Sequence, residues 1–498
     1  MRDFIIRQLS EPIPRSFDEL IARLRKIGLL PYAAAGCAFM FLVLQVRLYF
    51  PGRLNVDSTD QLHQATIGVF NDWHPPIMAM LWRILIELSG KTFSLYLLQA
   101  ALYWLAIGLI ADAFVRMQKY RTSLVILMAW VMPYFSITNA MVTKDSQMGL
   151  MFLLSFALVF WFRTQARRVP TAIWTLIVIF CLYGILVRAN SIFAIGPLFL
   201  YFVVPNRKFG LPQIIGISTV IAVATMLLSA AFNNDILPNV KQTKPIRSLQ
   251  IFDIIGIAKI SGDRQWLTEL KPLSSERLNA CYTAYWWDSV APWGACPEFS
   301  GMVMNIQYKP VISDRDVYPT SAKLMEIWLN SIQHHPLAYA EHRIKHFNAE
   351  LNFFVPSLIR RFGIVWYSVP QNSVLETKQD YYRKSFIRWP VTWYAIALIV
   401  LIATRRDTPT LATTTARYLS VSGLLYASAY LVIGVASEDR YMYWMILSSF
   451  IAVCTVAKNI KRQITARDNA TLAALAAFVI IILLGMISRL LDLQFMLN

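Results

Sequence analysis

The chain has 498 residues, of which 56% are hydrophobic and only 15% charged, whereas a soluble chain carries about a quarter charged residues. That composition belongs to a membrane protein and excludes an ordinary water-soluble enzyme. The net charge of +18 does not point to nucleic acid, because the positive residues fall between hydrophobic runs and do not gather on one groove or helix face.

In chain order, residues 1–29 form a basic amphipathic segment. Ser16 and Glu19 have capping-box spacing, and Phe17, Leu20, Ile21 and Leu24 share a helical face, which predicts an interfacial helix over 17–27. No cleavable signal is expected, since the basic start precedes a full-length first span. Crossing a hydrocarbon core of ~30 Å takes ~20 apolar residues in a helix. Runs near 30–50, 93–115, 122–139 and 146–162 satisfy this, followed by runs near 170–187, 191–204, 213–232, 389–404, 416–436, 441–457 and 470–488. The predicted fold is therefore an all-α polytopic membrane protein with about eleven transmembrane helices. Its parts are an N-terminal transmembrane module over 30–232 with an external loop at 51–76, an external domain over 233–388, and a C-terminal transmembrane module over 389–498.

A cytoplasmic N-terminus puts Arg116/Lys119/Arg121, Arg163/Arg167/Arg168, Arg207/Lys208, Arg405/Arg406 and Lys458/Lys461/Arg462/Arg467 all on the cytoplasmic side. The positive-inside rule is met at every turn, and the expected location is a bacterial inner membrane with the site facing the periplasm. Within the insertion, residues 321–351 read as a helix broken near Pro336, with Trp328, Tyr339 and Phe347 as interfacial anchors. Cys37, Cys181 and Cys454 lie in apolar runs as small hydrophobes. Cys281 and Cys296 share one polar, aromatic-rich segment and suit a disulfide in an oxidising compartment.

The candidate chemistry lies at the external boundary. The first external loop packs Asp57, Asp60, His63, Asp72, Trp73 and His74 into a short stretch. An acidic side chain held there, partly desolvated beside a lipid phosphate, is suited to take a proton from an acceptor hydroxyl; Asp57 is the first choice, with Asp60 and His74 beside it. Asp60 and Asp72 also read as caps or solvated turn residues. Lys144 and Asp145 in MVTKDSQMGL, Arg188 and Asn190 in LVRANS, and Glu438, Arg440 and Tyr441 in ASEDRYMYW map to the same face. For Asp145 the competing reading is a helix N-cap, and for Lys144 and Arg188 it is snorkelling to water. One cleft gathering these residues would place an acid opposite cations able to hold a departing phosphate. Asp57, His63 and His74 lack tight ligand spacing for zinc, so neither a metal nor a cofactor is expected, a divalent cation remaining an open alternative.

At NVDSTDQ, DWHPP, TKDSQ and EDRY the chain resembles the GT-C superfamily of polyprenyl-phosphate-sugar-dependent glycosyltransferases, including its protein O-mannosyltransferase and aminoarabinose transferase branch. The resemblance implies a polyprenyl-phosphate-sugar donor taken from the external leaflet, inversion at the anomeric carbon, and a first-loop acidic residue as base, which maps onto Asp57. The charges at the same face assign the released phosphate to Lys144, Arg188 or Arg440, with a lipid, glycan or protein as acceptor. Many relatives carry two adjacent acidic residues in this loop, whereas Ser58 and Thr59 separate Asp57 from Asp60 here, so the choice between the two stays open. A lipid-linked sugar flippase and an oligosaccharide ligase are the alternatives. Few charges fall deep within the spans and no internal repeat is evident, which favours a one-sided enzyme over a carrier.

Overall fold

The structure is a computed structural model describing residues 16–203, 209–231, 240–303, 319–356 and 385–493. Arg207 and Lys208, expected on the cytoplasmic side, and parts of the 233–388 insertion lie outside the described residues.

Helix α1 (Phe17–Lys26) starts where the capping spacing places it, with the Ser16 hydroxyl accepting from the Glu19 amide at 3.1 Å. The long apolar helix α2 (Leu30–Tyr49) follows, then the short helices α3 (Val56–Ile67) and α4 (Ile77–Ser89), then the long apolar α5 (Ser94–Arg116). Next come α6 (Tyr120–Met128), α7 (Pro133–Ala140), α8 (Lys144–Thr164), α9 (Thr171–Val187), α10 (Ile192–Val203) and α11 (Leu211–Ala231). The 233–388 insertion contains α12 (Ile246–Ser261), α13 (Gln265–Leu270), α14 (Ser275–Cys281), α15 (Ser321–His334) and α16 (Pro336–Glu350). The C-terminal module is α17 (Pro390–Thr404), α18 (Leu411–Ile433), α19 (Tyr443–Thr465) and α20 (Asn469–Leu490).

Six of these helices are long and apolar enough to cross a membrane, and a seventh crossing arises if the pair around Pro133, bent by 62°, is one broken span. A proline there removes an amide donor and clashes with the preceding turn, a sufficient cause for the bend. The apolar helices at 171–187, 189–203 and 390–404, and the apolar stretch 211–227 of α11, are shorter, between 10 and 17 residues. The last helix is only 17% buried over its apolar window, and Val479, Ile480 and Leu483 face outward. Such an apolar exterior is unfavourable in water and matched to lipid; the chain is a multi-pass membrane protein.

Two groups of helices share one core. α2, α5, α8 and α9 pack in succession, α17, α18 and α19 form the second group, and α10 on α18 and α8 on α19 join them. Gly149 allows the last of these approaches, since a Cβ there would lie 2.6 Å from the Tyr443 ring. Close contact at Gly149 brings the start of α8, with Asp145, beside the start of α19, with Arg440. The insertion has its own core around Phe252, Ile255, Cys281, Trp287 and Phe299 and rests through α16 on α18. Its helix breaks at Pro336 as expected. Trp328, however, turns its indole inward, donating to Asp253 at 2.9 Å, so it serves this core and is no interfacial anchor.

Candidate active site

Backbone pairing fixes the first loop against the TKDSQ segment. The Arg53 amide donates to the Ala140 carbonyl at 2.8 Å and the Val142 amide to the Arg53 carbonyl at 3.0 Å. Asn55 caps α3 by accepting from the Ser58 amide at 2.9 Å, and the Ser58 hydroxyl donates to the Val142 carbonyl. Asp57 therefore lies in the first turn of α3, where the helix dipole favours an anion, within reach of whatever α8 presents. The cap of α8 is Thr143, which accepts from the Ser146 amide at 3.2 Å. Asp145, for which a capping role was the competing expectation, is instead fully buried in the first turn and turned toward arginines.

Four segments meet here. Arg440 sends each guanidinium nitrogen to a different carboxylate: Nη2 to Asp57 at 2.7 Å, Nε to Glu438 at 2.5 Å, and Nη1 to within 3.5 Å of Asp145. Arg188 takes the other side of Asp145 at 2.5 Å and donates to Tyr430 at 2.6 Å and to Asn190 at 3.0 Å. The Asp145 contacts are ionic without hydrogen-bond geometry, and Arg440 Nη1 is a buried donor that makes no hydrogen bond. Tyr441 lies between the two guanidinium groups, 4.4 Å from Arg188 and 5.0 Å from Arg440, so its ring face separates and steadies two like charges. Both arginines are buried, which replaces the snorkelling expected of Arg188.

Lys144 reaches His74 Nδ1 at 2.8 Å, and His74 Nε2 lies 3.7 Å from Asp57. Burial, reinforced by the Lys144 charge and only partly offset by Asp57, holds the His74 imidazole down to about 3. His74 is thus neutral near pH 7. For Asp57, burial works to raise the carboxyl, but Arg440, His74 and Lys144 outweigh it and hold the carboxyl well below the usual range.

Asp60 and Asp72 stand apart from this network. Asp60 accepts from Gln64 at 2.7 Å, Gln64 accepts from the Asn71 amide at 3.1 Å, and Asn71 accepts from the Trp73 amide at 3.0 Å. That relay shapes the DWHPP turn that delivers His74. Asp72 accepts from the Thr243 hydroxyl at 2.6 Å and from the Thr243 amide, closing the two-residue parallel pairing of β1 (Phe70–Asn71) with β2 (Val240–Lys241). His63 is exposed on α3. Among the described residues no group of three or more His, Cys, Asp or Glu side chains is placed to share a metal ion.

Cys281 and Cys296 are joined by a disulfide, and the loop they close forms a lip over the cluster. Trp287 donates its amide to the Val435 carbonyl at 2.8 Å, Ser437 donates its amide to the Tyr285 carbonyl at 3.0 Å, and the Trp73 and Trp287 rings lie 5.4 Å apart. On this lip Asp288 accepts from the Trp293 indole at 3.0 Å. Burial pushes its carboxyl up to about 6, with Glu438 and Asp57 adding repulsion. Asp288, Tyr430 and Glu350 are site residues that sequence reasoning passed over. A signal existed for Glu350, because His342, His346 and Glu350 recur at four-residue spacing and so share one face of α16.

Compared with known proteins, the chain matches no family model, no curated protein sequence and no solved structure.

Proposed function

We propose that the protein is an inverting membrane glycosyltransferase, moving a sugar from a polyprenyl-phosphate donor to a lipid, glycan or protein acceptor at the external face of a bacterial inner membrane. In this reading the chain crosses the bilayer eleven times, counting the shorter apolar helices and the bent pair, which leaves every basic loop cytoplasmic. The observation that carries the proposal is the shared network of Asp57, Asp145, Arg188 and Arg440, in which a buried arginine nitrogen is left without a hydrogen bond beside an ionised carboxylate.

The network suits phosphate departure. Arg440 Nη1 and Lys144 supply donors to the phosphate oxygens, and charge-assisted hydrogen bonds in a dry site are strong. Asp57 is a weak base while Arg440 holds it. A phosphate that engages Arg440 competes for that guanidinium, and burial then raises the basicity of Asp57 just as donor and acceptor are both present. The acceptor hydroxyl loses its proton to Asp57, its oxygen attacks the anomeric carbon from the side opposite the phosphate, and the carbon–oxygen bond to phosphate breaks with its electron pair on oxygen.

The test is sugar transfer in proteoliposomes supplied with polyprenyl-phosphate sugars, comparing the native protein with Asp57→Asn at matched folding. General-base loss typically lowers turnover by ~10²–10⁴-fold. Transfer by the native protein with loss in Asp57→Asn supports the assignment; undiminished transfer in Asp57→Asn removes Asp57 as base, and no transfer with any donor removes the reaction.

A further inference from the structure

Glu350 ends α16, the external helix that lies on α18. It is 2% exposed, and neither carboxyl oxygen has a hydrogen-bond partner. A carboxylate in that condition is costly, because desolvation is uncompensated by any donor. Burial accordingly pushes the Glu350 carboxyl well above the usual range; Arg188 pulls the other way, while Glu438, Asp145 and Asp439 add repulsion. Arg343 on the same helix donates to the carbonyl of Gly434, which caps the end of α18 one turn past Tyr430, and this contact sets the end of α16 beside the cluster. The titratable groups whose charges act on it are Arg188 after α9, Asp145 from α8, Tyr430 from α18, and Glu438 and Asp439 before α19. On its own helix the fully buried His346 stands one turn away, its Nδ1 on the Ala284 carbonyl at 2.8 Å and its Nε2 unpartnered.

Charge balance gives that position a purpose. Against the cations Arg188, Arg440 and Lys144 stand the carboxylates Asp57, Asp145 and Glu438, with Asp288 on the neighbouring loop and His74 neutral. A donor phosphodiester brings one negative charge, and cleavage leaves a phosphate monoester bearing a second, in a cluster with no surplus cation among the described residues. A neutral acid beside Arg188 resolves this without another positive group.

We propose that Glu350 is an un-ionised acid that hydrogen-bonds the phosphate held by Arg188 and passes it a proton as the sugar departs. The inference rests on the glycosyl-transfer reading. As the anomeric carbon–oxygen bond breaks, Glu350 gives its proton to a phosphate oxygen and the lipid leaves as a monoanion. Asp57 meanwhile takes the proton of the acceptor hydroxyl. Protons and charge balance, and the enzyme resets by moving one proton from Asp57 to Glu350 through water or the released phosphate.

The test begins with infrared difference spectroscopy near pH 7, wild type against Glu350→Gln, with polyprenyl phosphate as probe. The expected result is a carboxylic-acid carbonyl band in wild type, absent from Glu350→Gln, that shifts when the probe binds. Glu350→Gln should retain labelled polyprenyl phosphate within about threefold of wild type, lose at least tenfold in transfer rate, and lose the alkaline limb of the rate–pH profile. Absence of the band in wild type, or a band indifferent to bound probe, overturns the proposal, and so does wild-type turnover by Glu350→Gln. If Glu350→Gln does not fold, pH titration of the wild-type band decides the protonation state. A probe-sensitive band in a protein that transfers no sugar refutes the glycosyl reading while leaving Glu350 as a phosphate-facing acid.

Discussion

Arg440 is the joint of the network, and two substitutions separate its charge from its shape. Its three nitrogens serve Glu438, Asp57 and Asp145 at 2.5, 2.7 and 3.5 Å. At 2.7 Å the Coulomb attraction to Asp57 is ~6 kcal/mol gross at an effective dielectric near 20, much of it offset by desolvation. Arg440→Met takes the arginine from Asp57 and Glu438 while Asp145 keeps Arg188, and breaking a buried pair from one side typically costs ~3–5 kcal/mol. Arg440→Lys keeps the charge but presents one nitrogen where the fork had three, so it forfeits one of the two short charge-assisted bonds, worth ~1.5–3 kcal/mol. The expected order of thermal midpoints in detergent at fixed heating rate is wild type, then Arg440→Lys, then Arg440→Met. Transfer assayed at saturating donor falls in the same order, and binding of polyprenyl phosphate weakens in both variants. An Arg440→Met protein with an unchanged midpoint and wild-type transfer would falsify the network as described.

Three further outcomes follow from the same geometry. Asp60→Asn keeps an acceptor for Gln64 and should leave transfer within about threefold of wild type, whereas Asp57→Asn should abolish it; equal losses would show that both acids act on substrate. His74 has a folded-state value near 3 against an ordinary value of 6.5, so the unfolded chain binds the extra proton between them. Its contribution to stability is complete above about pH 6.5 and drains away as pH falls toward 3; His74→Gln should flatten that acid limb in a thermal-shift series, and an unaltered limb would assign it elsewhere. Replacing Cys281 and Cys296 together with serine opens a loop closed over 15 residues, worth ~3 kcal/mol in the chain-entropy account. Loosening of the 281–296 lip should appear as faster amide exchange at Trp287 and Ser437 while the membrane helices stay protected.

Sidedness made most of the site legible before any coordinates. Lys144, Arg188 and Arg440 are hydrophilic residues at the ends of apolar runs, and the alternation of basic loops puts those ends on one face. Their partners were less visible, because an ion pair between residues 57 and 440 has no periodicity along the chain. Local patterns therefore misdirected in two places. Asp145 has the residue type and position of a cap, but Thr143 takes that role and frees Asp145 to sit between two arginines. Arg188 looks like a side chain reaching for water, but Asp145, Asn190 and Tyr430 satisfy it inside the protein.

Glu350 left only the faint signal of its four-residue spacing from His346 and His342, for a different reason. The segment EHRIKHFNAE is polar enough to read as an exposed external helix, and only packing against α12 and α18 turns its His342, His346 and Glu350 face inward. The span count was harder still, since the helices at 171–187, 189–203 and 390–404, and the apolar stretch 211–227 of α11, are short for a hydrocarbon core of ~30 Å. Short helices are tolerated where neighbours bury their ends and the bilayer thins locally, at fractions of a kcal/mol per Å. Two of the four, at 171–187 and 189–203, meet at Arg188. Breaking the chain there replaces continuous helix with an extended residue at the depth of the ion-pair network, and that residue is the arginine that holds Asp145.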